Sequence, residues 1–293
     1  MNNFGMSGSP TTLHHYCDAY AFESIVRTNE LWLCPFAYSN DSMEGQACRD
    51  VLRRLAEESS LSRHSMDSFL GHMEVLRKIL ECLGVSLSEN GDLLSQWRGY
   101  AADGTGFAIG FDRGLLNQMP QLTRIDPSIP FTGLGPSLVK VEYEEPQTIE
   151  RLRGLFESAR NHIEKWFPAS TNLPQIVPDA KTIEEARGAI NDTLLHQWSQ
   201  LFSIKGPAFK EECEWRIALT AFPGSPLYQY RVSRGMLVPY LKYPLPKASD
   251  GLCPISHVII GPKNPTPTSI IETMLRQFGH EHCTVERSAA TYR

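Results

Sequence analysis

The feature that most limits the fold is a long apolar stripe. Ile149, Leu152, Phe156, Ala159, Ile163 and Trp166 step by three and four along the chain. That spacing predicts a helix over about 147–167 with one flank that must lie on another layer. Elsewhere the period is two. "GFAIGFD" (106–112) alternates Phe107, Ile109 and Phe111, and "LVKVEYEE" (138–145) alternates Val139, Val141 and Tyr143, as half-buried strands do. Further strand patterns fall at 213–220, 228–233 and 256–260. A chain with both periods, each in runs, has helices to lay over a strand core.

The rest of the chain fits between these anchors. "LHHYC" (13–17) reads as a first strand, followed by Asp18 as cap of a helix carrying Phe22, Ile25 and Val26. "LWLCPF" (31–36) reads as a strand ended by Pro35, and "SNDSMEG" (39–45) as turn chemistry. Two helices follow. The second, around 66–83, carries Phe69, Leu70, Met73, Leu76, Leu80 and Leu83. After a Pro-bearing stretch at 168–181, Thr182 and Glu185 have capping-box spacing for another helix. "IGPKNP" (260–265) makes a turn before a last helix with Ile271, Met274, Leu275 and Phe278. Helices and strands therefore come in groups, which favours α+β over a regularly alternating doubly wound sheet. The expected organisation is a loose arm at 1–12 and one domain over 13–293, with helical insertions near 46–85 and 147–202.

Composition removes some functions. Of 293 residues, 41% are apolar and 21% charged, the net charge is -5, and the lysines and arginines are scattered. A surface that binds nucleic acid by bulk charge is disfavoured. No apolar run reaches membrane-span length, and the opening "MNNFGMSGSPTT" is polar, so no signal peptide or membrane partner is expected. The cysteines at 17, 34, 48, 82, 213, 253 and 283 are odd in number with no Cys-x-x-Cys, which suits a reducing cytoplasm.

Three stretches carry candidate chemistry. In "FKEECEWRIALT" (209–220), Glu212, Glu214 and Arg216 would share one face of a strand, with Trp215, Ile217 and Leu219 on the other. Two neighbouring carboxylates suit proton transfer or a cationic transition state; they also suit a solvated edge. Arg216 would hold a carboxylate in place, and Cys213 would sit on the apolar face. In "LLSQWRGYAADGTGFAIGFD" (93–112), Trp97, Arg98 and Tyr100 suit a flat, charged ligand, or are core aromatics beside an exposed arginine. Gly104, Gly106 and Gly110 do not have dinucleotide-fingerprint spacing. In "LHHYC", His15 and Tyr16 could orient a ribose or an amide, or be structural, with His14 competing for the role. "GHEHC" (279–283) sets His280, His282 and Cys283 close together without a fourth ligand nearby, so no metal is expected. Asp41 reads as a turn-former, and Glu44 stays open between turn and cleft.

In combination, "LHHYC", "LWLCPFAYSNDSMEG", "LLSQWRGYAADGTGFAIGFD", "PAFKEECEWRIAL" and "HVIIGPK" resemble successive blocks of a bacterial family described only as domain of unknown function 2971, over residues 13 to about 280. That family is in turn remotely similar to ADP-ribosyltransferase-like proteins. The resemblance implies a strand core of two small packed sheets with added helical layers, and NAD as co-substrate. It implies that His15 with Tyr16 holds the ribose and the nicotinamide amide, that Trp97 or Tyr100 lies beneath the nicotinamide, and that Glu214 is the final-strand acid, with Glu212 completing Glu-x-Glu. Cleaving the ribose–nicotinamide bond requires a negative group beside a developing oxocarbenium. Glu214 would supply it, Glu212 would deprotonate an incoming nucleophile, and Arg98 would bind the pyrophosphate. The implied activity is that of an NAD-dependent ADP-ribosyltransferase or NAD glycohydrolase, a toxin or phage-defence effector acting on an unknown protein or nucleic-acid acceptor. The alternatives are a non-catalytic nucleotide or nucleic-acid sensing module, and an interaction protein in which these residues form a structural charge cluster.

Overall fold

A computed structural model describes residues 11–38, 47–59, 61–120, 135–166, 179–223, 227–233 and 235–292. Its strands are β1 (Thr12–Cys17), β2 (Glu30–Pro35), β3 (Glu81–Ser88), β4 (Phe107–Asp112), β5 (Ser137–Lys140), β6 (Glu214–Ala221), β7 (Gln229–Ser233), β8 (Met236–Pro244), β9 (Ile255–Ile260) and β10 (Thr284–Arg287). They are linked by pairing into one sheet in the order β10-β9-β4-β1-β3-β2-β8-β7, with β6 beside β3 and β5 beside β6. The class is mixed α+β. The two separate packed sheets expected above are instead one sheet with a branch at β3.

That branch makes the cleft. One edge of β3 pairs with β6 along its whole length, from Glu81↔Ala221 to Ser88↔Glu214. The opposite edge is divided: β2 pairs at Cys34↔Gly84 and Pro35↔Leu83, and β1 pairs only at His14↔Ser88. Between them, no strand among the described residues pairs with 85–87 on that side. Helix α1 (Ala19–Thr28) connects β1 to β2 beside this gap. Its start is set by Asp18, whose Oδ1 accepts from the Ala21 amide at 2.8 Å, and it buries Phe22, Ile25 and Val26, as the spacing predicts.

The two faces of the sheet carry separate cores. Leu13, Cys17, Leu83, Val85, Leu87, Ile217 and Leu219 pack with α1 and the C-terminal helix Thr268–Gln277. Cys82 and Ala218 pack on the other face against Ala47–Glu58, Arg63–Ile79, Glu145–Trp166 and Ala180–Gln197. The apolar stripe behaves as its period demands: Leu152, Phe156, Ala159 and Ile163 are buried in this second core.

Several boundaries differ from expectation. The helix placed at 66–83 ends at Ile79, and Leu80 and Leu83 belong to the approach and body of β3. Leu80 and Leu83 continue the three-and-four spacing of Leu76, so they read as a helix tail, although Leu83, Val85 and Leu87 also alternate along β3. The segment 138–145 is a strand only to Lys140. The cap of Ala180–Gln197 is Asp179, accepting from Thr182 at 2.8 Å, in place of Thr182 itself. Strands β8 and β10 carry no expected counterpart. Asp41, Glu44 and most of the 1–12 arm lie outside the described residues. Among the described residues, no helix is long and apolar enough to cross a membrane, and no group of three or more His, Cys, Asp or Glu is placed to hold a metal.

Candidate functional site

The split in the sheet holds a cavity of about 510 Å³. Its walls include His15 and Tyr16 from β1, Asp18 and Tyr20 at the start of α1, Trp32 and Cys34 from β2, the unpaired stretch 85–87 of β3, Gln96 and Tyr100, Glu212 and Glu214, and Arg231. Because the cavity occupies a gap between strands, groups from both faces border it. His15 shares the face of Leu13 and Cys17, whereas Glu214 and Arg216 share the face of Ala218.

On β1, adjacent histidines part company. His15 Nδ1 lies 3.0 Å from the Ser86 carbonyl, which has no strand partner on that side. Burial pushes the His15 imidazole below its ordinary basicity, and Arg231 lowers it further. His14 points to the other face, edge-on to His257 at 5.7 Å, with its Nδ1 buried and unpartnered. Burial and His257 lower it to about 4. His15 therefore borders the cavity and His14 does not. Tyr16 is held by two backbone bonds, donating to the Asn90 carbonyl at 2.9 Å and accepting from the Leu93 amide at 2.8 Å.

The block "LSQWRGY" is helix α4 (Leu94–Tyr100), and helical geometry sorts its residues. Positions four apart share a face, so Gln96 and Tyr100 both reach the cavity. Trp97 is turned away and fully buried, donating Nε1–H to Asp92 at 2.6 Å and packing edge-on against Tyr16 at 4.9 Å. Arg98 lies over the Tyr292 ring at 5.7 Å. Neither lines the cavity. Of the mid-chain residues singled out for ligand contact, Tyr100 alone borders it.

The Glu-x-Glu pair converges by a route other than strand alternation. Glu212 ends a 3-10 stretch, Pro207–Glu212, and Cys213 takes a left-handed conformation with φ 43°. Only at Glu214 does β6 begin. The kink is pinned by Ser88, which donates to the Glu212 carbonyl at 2.8 Å, and by Tyr143, which accepts from the Glu214 amide at 2.8 Å. Cys213 is accordingly half-buried at the kink, not in the apolar core. Lys205 then draws the two acids together: its Nζ lies 2.8 Å from Glu212 Oε2 and 2.7 Å from Glu214 Oε2.

The two acids differ in what remains free. Glu214 is 3% exposed and meets Arg216 Nε at 2.9 Å as well as Lys205. Burial would raise its carboxyl, but Arg216 and Lys205 outweigh that and hold it below the usual carboxylate range. Arg216 is itself fixed by the Phe202 carbonyl and the Phe36 ring, whose centroid is 4.5 Å from the guanidinium carbon. Phe36 can lie there because position 84 is glycine. A Cβ would come within 2.2 Å of the Ile217 carbonyl and 2.4 Å of the Phe36 ring. Glu212 is less enclosed, and its Oε1 is 3.4 Å from the Tyr100 hydroxyl.

His15, Tyr16, Tyr100, Glu212 and Glu214 thus border one space, and Trp97 and Arg98 lie elsewhere. Sequence reasoning missed Lys205, Cys34, Trp32 and Arg231. Lys205 enters from a loop, and Trp32, Cys34 and Arg231 stand on strands that the sequence shows but that only the fold brings to the cavity. The "GHEHC" histidines stand apart: His280 is buried with Nε2 3.0 Å from the Val26 carbonyl, a contact that ties the C-terminal turn to α1.

Part of this wall is covered by a match to a family model. Residues 96–217 match a family model described as "Protein of unknown function (DUF2971)". The matched span includes Tyr100, Lys205, Glu212 and Glu214, and stops short of β1 and of the β7–β8 hairpin. No curated protein and no solved structure matches the chain.

Proposed function

We propose that the cavity binds NAD and that the chain breaks its ribose–nicotinamide bond, as an ADP-ribosyltransferase or NAD glycohydrolase. The observation that carries this reading is the convergence of His15, Tyr100 and a Glu pair on one cavity, from β1, α4 and the approach to β6. A volume near 510 Å³ suits a nucleotide-sized ligand. His15, kept neutral by burial, would meet the ribose or the amide as a hydrogen-bond partner without adding positive charge beside the leaving ring. Tyr100, 41% exposed at the wall, would supply the flat surface beneath the nicotinamide.

Glu212 takes on both roles that the resemblance divides between the two acids. Both oxygens of Glu214 are already engaged by cations, which leaves little negative charge to offer a developing cation. Glu212 keeps Oε1 turned to Tyr100 and the cavity. In this reading Glu212 faces the sugar and takes the proton of the attacking hydroxyl, while the C1′–N bond breaks with its electron pair leaving on the pyridine nitrogen. Glu214 acts through Lys205, as a positioning residue. The test is nicotinamide release from labelled NAD, alone and with cell lysate as a source of protein or nucleic-acid acceptors. Glu212→Gln should lower the rate by about 10²–10³-fold while the protein stays folded. Wild-type protein that releases no nicotinamide under either condition refutes the reading.

The neutralised Glu214 favours one second reading, a nucleotide or nucleic-acid sensor that binds without turnover. Calorimetric binding of NAD with no nicotinamide released would select it.

A further inference from the structure

Arg231 is the residue of the cavity wall whose chemistry is left open. It stands on β7 and reaches the cavity from the β2 side of β3, whereas Glu212 and Glu214 enter from the β6 side. Its guanidinium lies 5.9 Å from the Trp32 ring centroid, and one N–H points at the Cys34 sulfur at 3.5 Å. Its Nε is buried without a hydrogen-bond partner among the described residues. Among the described residues, Arg231 forms no ion pair. Asp18 also borders the cavity, but its Oδ1 serves as the α1 cap.

This is an unusual state for a guanidinium. It carries five donors in a fork suited to oxyanions, and a thiol is a poor acceptor. A buried, unmatched donor costs free energy until something occupies it. The other two cations near the site are matched already: Lys205 by both glutamates, and Arg216 by Glu214 and the Phe202 carbonyl. The wall is thus unbalanced in one place, at Arg231.

We propose that Arg231 is the anion subsite of this cavity, so that the ligand carries a diphosphate, as nucleoside diphosphates and their sugar conjugates do. The proposal rests on the cavity being the ligand site and does not require that the ligand be cleaved. It also moves the phosphate contact from Arg98, which lies outside the cavity over Tyr292, to a hairpin beyond the family-matched span. The guanidinium would grip two phosphate oxygens, Trp32 would flank it, and the glutamates on the far side of β3 would face the uncharged or cationic end of the same ligand.

The experiment is calorimetry with ADP-ribose on the wild-type protein and on Arg231→Met and Arg231→Lys, with melting temperature as a folding control. Arg231→Met should weaken ADP-ribose at least tenfold. Arg231→Lys, which keeps the charge and loses the fork, should fall between the two. If Arg231→Met proves unstable, the lysine variant carries the test: a loss of threefold or more supports the subsite, and unchanged affinity overturns it. Wild-type protein that does not bind ADP-ribose overturns it as well. Arg231-dependent binding of ADP-ribose without nicotinamide release from NAD would uphold this subsite while removing the cleavage reading.

Discussion

Two sides of β3 treat charge in opposite ways. On the β6 side, Lys205, Glu212, Glu214 and Arg216 form a chain of contacts between 2.7 and 2.9 Å with almost no exposure at Glu214 or Arg216. On the β2–β8–β7 side, Arg231 faces the same cavity with a thiol and an aromatic ring for company. Charges that satisfy one another in a buried place hold the fold. A charge left unmatched beside a cavity is available to a ligand. The sequence separation of the two arginines is small and their types are identical, so only the surroundings assign their roles.

The sharpest way to break this contrast is to unbalance the satisfied side. Glu214→Gln would leave Lys205 and Arg216 buried with one carboxylate between them. Removing one member of a buried ionic cluster costs about 3–5 kcal/mol, so a loss of that size is expected in urea denaturation. Glu212→Gln leaves Lys205 with Glu214 as partner and should cost only about 1–2 kcal/mol. Equal losses would mean that the two acids are not differently employed, and the assignment of Glu212 to the ligand would lose its basis.

That difference could not be read from Glu-x-Glu as a pattern. The alternation correctly sets Glu214 and Arg216 against Trp215, Ile217 and Leu219, because β6 is regular from Glu214 onward. It fails for Glu212, where the backbone at Cys213 turns left-handed and the strand has not begun. Elements whose large apolar side chains recur at a clean period were legible: β4 with Phe107, Ile109 and Phe111 set between small residues, α1, and the long helix Glu145–Trp166. The strand β3 was not, since Leu80 and Leu83 prolong the helical spacing of the preceding helix and mask the alternation of Leu83, Val85 and Leu87. The cavity was legible only in part. His15, Tyr16, Tyr100 and the acids stand in distinctive local stretches, whereas Lys205 and Arg231 are brought to it by long-range pairing. Within "QWRGY" the sequence offered three candidates, and recognising the stretch as a helix would have singled out Gln96 with Tyr100 by their spacing of four.

A second contrast, between the neighbouring histidines, predicts how stability depends on pH. His14 is buried and lowered to about 4 in the folded protein, against 6.5 for the unperturbed group. The unfolded chain therefore takes up a proton near pH 6.5 that the folded chain refuses. Stability is intact above pH 6.5 and falls as the pH drops toward 4. The interval corresponds to about 3 kcal/mol, and His15, also lowered, adds to the loss in the same direction. Below about 4.5 the protonation of Glu214 adds a further decline, because its folded value is depressed. His14→Gln should flatten the melting-temperature profile between pH 6.5 and 4 without altering ligand affinity at pH 7.5. A variant with the unchanged slope would show that His14 is not the group that senses acid.

The smallest expected effect sharpens the comparison most. Arg216→Met removes a fixed guanidinium from between Glu214, the Phe202 carbonyl and the Phe36 ring, and should destabilise by several kcal/mol, on the order of 3. Arg231→Met removes the same group from a site where it has no carboxylate, and the methionine stem can keep the contact with Trp32. Its cost should stay within about 0.5–1 kcal/mol. A guanidinium that adds little to folding and much to ligand affinity has its partner outside the chain. Should Arg231→Met instead destabilise as much as Arg216→Met, Arg231 would also hold the scaffold, the contrast in stability between the two sides of β3 would be gone, and the ligand role would rest on the affinity of Arg231→Lys alone.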